Sequence, residues 1–243
     1  MGTDSLPTED EQFEAYKAAA ETMQSKEVII RTLDVGGDKD IPYLGLEKED
    51  NPFLGFRAVR YCLKNEDSYK VQLRALLRAS KYGRLAIMFP MIATVQEFKD
   101  AKAIFEEEKA NLVASGVEVS DDIQVGMMME IPAAAMIADK LAKYADFFSI
   151  GTNDLTQYTL AIDRQNEKLD EFYNPHHEAI LRMIQMVVDN AHKCGKWAGI
   201  CGELGADATL TEQFVRMGLD ELSVAPSMVL KLRKIVREMK VEE

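Results

Sequence analysis

Two carboxylic acids that follow predicted strands could form a metal site in this 243-residue sequence. Glu130 ends the apolar run that begins at Met127, and Asp154 follows Ile150 after a short turn. Because the carboxyl ends of parallel strands meet at one rim of the sheet, we expect both carboxylates there. Mg²⁺ is commonly bound by one or two protein carboxylates, waters and substrate oxygens. The pair is therefore consistent with a magnesium site, although acids at such positions more commonly cap helices or form ion pairs.

Arginines lie near the same predicted strand ends. Arg31 is inside an otherwise apolar strand, where a charge requires a partner. Arg57 and Arg60 follow the segment 51–56, and Arg164 follows Asp163. Guanidinium groups match phosphate and carboxylate oxygens bidentately, so several beside a metal would bind a small polyanionic acid. Taken singly, Arg57 or Arg60 could equally form a surface salt bridge.

Cysteine 201 is the third candidate for chemistry. Cys201 lies at the tip of a predicted strand, next to Gly202, where its thiol could be an acid, a nucleophile or neither. The other two cysteines, Cys62 and Cys194, lie in predicted helices, where cysteine is usually a small buried hydrophobe. Three cysteines without a C-x-x-C pair indicate a reducing compartment. The three histidines are interpreted as solvated or core residues: His176, His177 and His192.

The composition limits the possible partners. A formal net charge of −12, without a block of Lys and Arg, argues against nucleic acid. The longest apolar stretch, residues 85–93, is much shorter than the roughly 20 residues that span a bilayer. No signal segment opens the sequence, so we expect a cytoplasmic protein that does not bind membranes.

Apolar runs of strand length alternate with amphipathic helical segments, a pattern typical of parallel β/α units. The dinucleotide-binding pattern G-x-G-x-x-G is absent, which argues against a doubly wound sheet. We therefore predict an α/β fold of the TIM-type (β/α)₈ class that lacks its first strand. A first helix is predicted over residues 8–23. The seven strand candidates are residues 28–33, 53–56, 85–91, 123–129, 146–150, 197–201 and 221–225.

Six motifs together resemble the C-terminal domain of Enzyme I of the bacterial sugar phosphotransferase system, one of the phosphoenolpyruvate-utilising enzymes. The resemblance covers almost the whole chain, and the motifs are specific in combination. They lie at residues 31–39, 51–60, 88–91, 129–133, 151–157 and 199–207.

This resemblance implies a phosphoenolpyruvate–protein phosphotransferase. Its β/α barrel would bind phosphoenolpyruvate and Mg²⁺ and form a homodimer. The phosphoryl group would pass to a histidine on a separate N-terminal domain and then to the carrier protein HPr, leaving pyruvate. These steps begin sugar uptake.

The resemblance also assigns roles to individual residues. Glu130 and Asp154 would hold Mg²⁺, and Cys201 would protonate the enolate carbon as pyruvate forms. The groups expected to contact the substrate are Arg31, Arg57, Asn153, Asp154 and Arg164.

Two departures from the family pattern predict that residues 1–243 are one phosphoenolpyruvate-binding barrel domain from a longer enzyme. The family has an earlier strand with a further substrate arginine, and it continues into further C-terminal helices. The phosphohistidine motif Gly-Gly-x-x-Ser-His is also absent from the sequence. We therefore expect incomplete turnover by this chain alone.

Two other interpretations remain open at the level of sequence. The barrel of pyruvate phosphate dikinase or phosphoenolpyruvate synthase would share the metal, the arginines and the cysteine. A non-enzymatic module could instead sense phosphoenolpyruvate and tighten a dimer without passing on phosphate.

Overall fold

The computed structural model describes residues 5–36 and 44–240. In these ranges strands and helices alternate along the chain. The strands are β1 (Val28–Arg31), β2 (Leu85–Phe89), β3 (Gln124–Met128), β4 (Phe147–Gly151), β5 (Trp197–Cys201) and β6 (Glu221–Leu222). The helices are α1 (Glu9–Met23), α2 (Val59–Lys64), α3 (Glu66–Ala79), α4 (Val95–Ala114), α5 (Pro132–Met136), α6 (Ala138–Leu141), α7 (Thr152–Leu160), α8 (Glu178–Lys193), α9 (Thr211–Arg216) and α10 (Pro226–Glu238).

The chain divides into two compact units. The first comprises Met1–Met91 and Gln96–Gly126, and the second comprises Ile92–Val95 and Met127–Glu243. Each unit contains parallel strand pairs, because consecutive strands are joined through a helix on the outside of the sheet.

In the first unit, β1 pairs in parallel with β2, from Val28 opposite Leu85 to Arg31 opposite Met88. All five residues of β2 are buried, as expected for a strand covered on both faces. Helix α1 packs against α3, and Ala20 and Ala79 meet Leu85 in a shared apolar cluster.

Ion pairs tie the start of α1 to α3. The two carboxylate oxygens of Glu9 accept hydrogen bonds from Arg74 Nε and Arg78 Nη1, both at 2.6 Å. Thr8 caps the helix and makes three hydrogen bonds with Glu11, one of them from the Thr8 amide to the Glu11 carboxylate at 2.8 Å. The predicted helix at residues 8–23 is confirmed, with Thr8 as its N-cap.

In the second unit, Met127 and Met128 at the end of β3 pair in parallel with β4, and β4, β5 and β6 follow one another as parallel neighbours. The longest register runs between β4 and β5, from Phe147 opposite Trp197 to Gly151 opposite Cys201. The rings of Phe147 and Trp197 stack at 4.5 Å with an interplanar angle of 4°. This pairing fixes the ends of β4 and β5 side by side.

Parallel strands alternating with helices confirm the predicted α/β fold of the TIM-type class. Five of the predicted strands are present, with ends that shift by up to two residues. The strand expected at residues 221–225 is limited to Glu221–Leu222.

The prediction of a strand at residues 53–56 is wrong. Pro52–Leu54 form a single turn of 3₁₀ helix. Pro52 fixes its own φ and has no N–H to donate to a sheet, so it favours a turn over a strand. The ring of Phe53 lies 5.8 Å from the guanidinium carbon of Arg57, so the apolar side chain covers an arginine.

Several expectations lie beyond these observations. Residues 37–39 of the first motif are outside the described residues. The single domain over 1–243, the absent first strand and the absent last helices stay predictions. No helix in the described ranges combines the length and apolar character needed to cross a membrane.

Candidate active site

The carboxyl ends of β4 and β5 carry the candidate chemistry of the second unit. Gly151, the last residue of β4, is the register partner of Cys201, the last residue of β5. Helix α7 begins immediately after Gly151, so Asn153 and Asp154 lie in its first turn. The structure therefore places Cys201 on the strand adjacent to the one that leads into Asn153 and Asp154.

A buried serine contacts the thiol of Cys201. The hydroxyl of Ser149 donates to Cys201 Sγ at 3.7 Å, and Ser149 is 4% exposed. A donor at this distance stabilises negative charge on the sulfur. Sequence reasoning missed Ser149, although a lone hydroxyl two residues before the strand end in an apolar run was a usable signal.

The turn after Cys201 is held by the first turn of α7. Thr152 Oγ1 donates to the carbonyl of Cys201 at 2.8 Å, and Asn153 Oδ1 accepts from the amide of Glu203 at 2.9 Å. Between these two bonds Gly202 has φ +89°, in the region that favours glycine. Asn153, predicted to contact substrate, thus also fixes the backbone beside Cys201.

Glu130 lies against the end of β4. A Cβ at Gly151 would be 2.9 Å from Glu130 Oε2, so the absence of a side chain there leaves room for the carboxylate. Glu130 is 1% exposed. Its position two residues after β3 matches the predicted strand-end placement.

Asp154 and Arg164 are brought together by the end of α7. Arg164 Nη2 lies 3.7 Å from Asp154 Oδ1. Helix α7 ends at Ala161 in the left-handed conformation, and the amide of Arg164 then donates to Gln157 Oε1 at 3.1 Å. This return of the chain places the arginine beside the first turn of its own helix.

Glu130 and Asp154 of the second unit have the donor chemistry for the magnesium ion that the resemblance implies. Glu130 and Asp154 are both buried carboxylates, and hard oxygen ligands suit Mg²⁺. Among the described residues no group of three or more His, Cys, Asp or Glu could enclose a metal ion. Two carboxylates that leave the remaining positions to water and substrate are the usual arrangement for Mg²⁺.

Tyr173 is a further residue near this charged group that sequence reasoning missed. Burial, followed by the charge of Glu203, raises the pKa of its hydroxyl. Arg164 and Asp154 also act electrostatically on it. Tyr173 follows the 3₁₀ turn Glu167–Phe172, and no sequence pattern connects that turn to the strand ends.

The predicted arginines of the first unit converge on a carboxylate. The guanidinium group of Arg57 donates hydrogen bonds to both carboxylate oxygens of Asp34. Arg31 Nη1 lies 3.1 Å from Asp34 Oδ2. Arg31 ends β1 and its side chain is 42% exposed, so the expectation of a charge inside an apolar strand is wrong, although Arg31 does pair with Asp34. Arg60 instead donates to the carbonyls of Leu54 and Gly55, and supports the turn before α2.

The remaining cysteines differ from each other. Cys62 is buried, as expected, and burial together with the charge of Asp34 raises the pKa of its thiol to about 12. The expectation of burial is wrong for Cys194, which is exposed. It follows the last turn of α8, whose end faces solvent.

The histidines are partly exposed and bind nearby acids. His176 Nε2 lies 2.7 Å from Asp207 Oδ2, and His192 Nε2 lies 2.9 Å from Asp220 Oδ2. His177 caps α8 by accepting a hydrogen bond from the amide of Ala179. The sequence left solvated and core positions open for the histidines, and it did not predict the pairings with acids.

The fold and the strand-end residues define a TIM-type α/β protein with a candidate site built on β4, β5 and α7. A family model described as "PEP-utilising enzyme, PEP-binding domain" matches residues 1–241. The chain belongs to this family.

Relatives match along the whole chain. It is 56% identical over 243 residues to a phosphoenolpyruvate-protein phosphotransferase of Listeria monocytogenes, covering 100% of the chain and 42% of the relative. It is 57% identical to the protein of the same name from Bacillus subtilis, again over 100% of the chain and 43% of the relative. The chain therefore spans about two fifths of the length of these relatives.

Solved structures support the fold class. Pyruvate kinase from Pyrobaculum aerophilum has a TM-score of 0.51 at 12% identity, with 74% of this chain and 37% of that chain covered. A citrate lyase from Burkholderia xenovorans has a TM-score of 0.52 at 18% identity, with 69% and 53% covered. At such low identity these likenesses show the fold alone.

Proposed function

We propose that this chain is the phosphoenolpyruvate-binding part of an Enzyme I phosphotransferase. It binds phosphoenolpyruvate and Mg²⁺ and, with a separate N-terminal domain, transfers the phosphoryl group to a histidine and then to HPr. Pyruvate is released, and the phosphoryl group serves sugar uptake. The observation that carries this proposal is the 57% identity, over all 243 residues, to a phosphoenolpyruvate-protein phosphotransferase.

Substrate binding rests on the arginines. Arg31 and Arg57 present guanidinium groups that bind phosphate or carboxylate oxygens bidentately. Arg164, held beside Asp154 at 3.7 Å, adds a third cation, and Asn153 adds an amide in the first turn of α7. Phosphoryl transfer depends mainly on such positioning and charge neutralisation.

Glu130 and Asp154 are the proposed metal ligands. When bound, Mg²⁺ supplies a Lewis acid that neutralises charge on the substrate oxygens. The burial of both carboxylates keeps competing water away and strengthens their attraction for a divalent cation.

Cys201 is the proposed proton donor. When the phosphorus–oxygen bond of phosphoenolpyruvate breaks and the histidine nitrogen takes the phosphoryl group, the enolate of pyruvate remains. Its C3 carbon takes the thiol proton of Cys201 and becomes the methyl group of pyruvate. The resulting thiolate accepts the hydrogen bond of Ser149 until water restores its proton.

The proposed setting is a cytoplasmic homodimer that meets HPr through the N-terminal domain. Sedimentation of the purified chain with and without phosphoenolpyruvate and Mg²⁺ tests the dimer. A single species of about twice the 27.3 kDa chain mass is expected with ligand. A monomer under all conditions would contradict the dimer and leave the chemistry to its own test.

The chemistry is tested by supplying the acceptor. The N-terminal part of the Bacillus subtilis relative, purified separately, is mixed with this chain and with phosphoenolpyruvate labelled on phosphorus. Label on the N-terminal part and an equal amount of pyruvate are expected. The rate of pyruvate formation should fall strongly in Cys201→Ala, because the enolate loses its proton donor, and should be kept in Cys194→Ala. If the N-terminal part became labelled without this chain, the proposed phosphotransfer would be contradicted. If Cys201→Ala turned over as fast as the wild type, the role of Cys201 as proton donor would be contradicted.

A further inference from the structure

Asp34 holds both arginines of the first unit that are proposed to bind substrate. Arg57 Nε lies 3.1 Å from Asp34 Oδ1, and Arg57 Nη2 lies 2.9 Å from Oδ1 and 3.0 Å from Oδ2. Arg31 Nη1 reaches Oδ2 at 3.1 Å. The side chain of Asp34 is 4% exposed, so one buried carboxylate joins the two guanidinium groups.

The two arginines are held unequally. Arg57 contacts both oxygens of Asp34, and its side chain is 7% exposed. Arg31 Nη1 lies 3.1 Å from Asp34 Oδ2, and the Arg31 side chain is 42% exposed. A forked, buried contact is stronger and better oriented than a single contact open to water. Arg31 is therefore the arginine that can leave Asp34 at the lower free-energy cost.

The charge of Asp34 is needed to keep the arginines close. Both guanidinium groups contact the same carboxylate, so its negative charge offsets part of the repulsion between them. Without the carboxylate, the two like charges would repel each other without that offset, and the effect would be largest on Arg57, whose side chain is 7% exposed. Removing one partner of a buried ion pair also leaves an uncompensated charge.

We propose that Asp34 is a positioning residue for phosphoenolpyruvate binding. It keeps Arg57 fixed in the free and the bound protein, and it gives up its contact with Arg31 to an anionic oxygen of the substrate. This inference rests on the proposed function, and adds to it the residue that orients the arginines. Asp34 does not touch the substrate and acts through Arg31 and Arg57.

The test compares phosphoenolpyruvate, whose binding depends on the orientation of both arginines, with inorganic phosphate, whose binding depends mainly on positive charge. Affinities for phosphoenolpyruvate and for inorganic phosphate are measured by calorimetry, with Mg²⁺, in the wild type, in Asp34→Asn and in Asp121→Asn. Asp121 is an exposed aspartate of the same unit. In Asp34→Asn the phosphoenolpyruvate affinity is expected to fall about tenfold or more, because the guanidinium groups lose their orientation. Phosphate binding is expected to be no weaker, because the net positive charge increases, and Asp121→Asn is expected to match the wild type.

A second readout follows the arginine side chains directly. In the wild type, the Nε–H proton of Arg57 should exchange slowly with solvent in ¹⁵N arginine side-chain spectra, because it donates to Asp34. That protection should persist when phosphoenolpyruvate is added, while the Arg31 signals shift. Loss of the Arg57 protection in Asp34→Asn completes the expected result.

Three outcomes would overturn the inference. Phosphoenolpyruvate affinity within twofold of wild type in folded Asp34→Asn, or equal losses for both ligands, would show that Asp34 does not position the arginines. Loss of the Arg57 protection on phosphoenolpyruvate binding would show that Arg57, too, leaves Asp34. If the wild type does not bind phosphoenolpyruvate at all, the proposed function itself fails.

A second variant covers a failure to fold. Asp34→Glu keeps the charge and lengthens the side chain by one methylene, which moves the forked contact. Weaker phosphoenolpyruvate binding with unchanged phosphate binding is expected. Wild-type affinity for phosphoenolpyruvate in this variant would contradict a role that depends on geometry.

Discussion

At the scale of single residues, the turn after Cys201 is held by contacts that leave no room for a side chain. A Cβ at Gly202 would lie 2.5 Å from Thr152 Oγ1 and 2.8 Å from Asn153 Oδ1. Both oxygens are engaged in hydrogen bonds to the same turn, so neither can move away without breaking one. Gly202 therefore serves both the backbone conformation and the close approach of α7.

We predict that Gly202→Ala destabilises the protein more than Gly195→Ala. Both glycines have positive φ, and an alanine in this conformation costs about 1 to 2 kcal/mol. A Cβ at Gly195 would meet nothing within 4 Å, whereas Gly202→Ala adds overpacking of about 1 kcal/mol or more. Urea unfolding of the two variants measures the difference. Equal losses of unfolding free energy in the two variants would contradict the close contact of Thr152 and Asn153 with Gly202.

Asp207 gives a prediction about pH. The Thr209 hydroxyl, followed by the Thr209 amide and His176, lowers the pKa of Asp207 from its ordinary value of 3.8. A carboxyl group whose pKa is lower in the folded state stabilises the fold above the unfolded-state pKa, and loses that effect as pH falls through the folded-state value. Asp207→Asn should therefore lower the free energy of unfolding at pH 6, and the gap to the wild type should close below about pH 4.

Unfolding free energies at pH 6 and pH 3 test this expectation. Asp170→Asn is a suitable control because Asp170 is exposed in the same unit. A gap between Asp207→Asn and wild type that is the same at both pH values would show that the aspartate charge is not the cause.

Residue type and position were sufficient to predict where some candidate site residues lie but not others. The place of Cys201 at the end of β5 was predictable because a polar residue that ends an apolar strand lies at the rim of a parallel sheet. Asp34 was not, because its role depends on Arg57, which lies 23 residues further along the chain. Sequence spacing does not show which acid a distant arginine will contact.

At the scale of secondary structure, helix α1 is fixed at its start by a cap and by ion pairs. Thr8 and Glu11 form a reciprocal capping box, and Glu9 binds Arg74 and Arg78 of α3. The cap satisfies backbone groups that a helix otherwise leaves open at its first turn. The start of α1 therefore depends on both its own sequence and α3.

We predict that Thr8→Ala destabilises the protein by about 1 kcal/mol, because the N-cap bond to the Glu11 amide is lost. Thr22→Ala in the same helix is the control. Thr22 is exposed and its hydroxyl donates back to the carbonyl of Ala18, so its removal should change stability by less than about 0.5 kcal/mol. Thermal unfolding of both variants gives the comparison, and similar losses would contradict a capping role for Thr8.

Strands with continuous apolar runs were predictable, and short or proline-bounded segments were not. Residues 85–89 are buried throughout, so their pattern follows directly from burial on both faces. Segment 53–56 has similar apolar content, but Pro52 and contact with Arg57 make it a turn. In β6 only Glu221 and Leu222 pair with β5, because pairing depends on the neighbouring strand as well as on composition.

At the scale of the whole molecule, ligand binding should stabilise the fold. A ligand that binds only the folded state adds about 2.7 kcal/mol at a concentration 100 times its dissociation constant. Phosphoenolpyruvate with Mg²⁺ should therefore raise the unfolding midpoint of this chain, and phosphoenolpyruvate with chelator should raise it much less. An equal rise under both conditions would contradict the role of the metal ligands.

The fold class followed from the alternation of strands and helices, and the family followed from the combination of motifs. The division into two compact units could not be predicted from the sequence, because composition changes little between residues 91 and 96 and no linker marks the boundary. The chemistry proposed for the whole enzyme also depends on parts of the longer relatives that this chain does not span.

The central claim is that this chain binds phosphoenolpyruvate through a site that depends on Mg²⁺. Calorimetric titration with phosphoenolpyruvate, in Mg²⁺ and again in chelator, tests it most directly in the wild type, in Glu130→Gln and in the exposed control Glu171→Gln. We predict binding by the wild type and Glu171→Gln in Mg²⁺ only, and affinity at least about tenfold lower in Glu130→Gln, because one of two metal ligands loses its charge. Absence of binding by the wild type, or equal binding by Glu130→Gln with and without Mg²⁺, would contradict the claim.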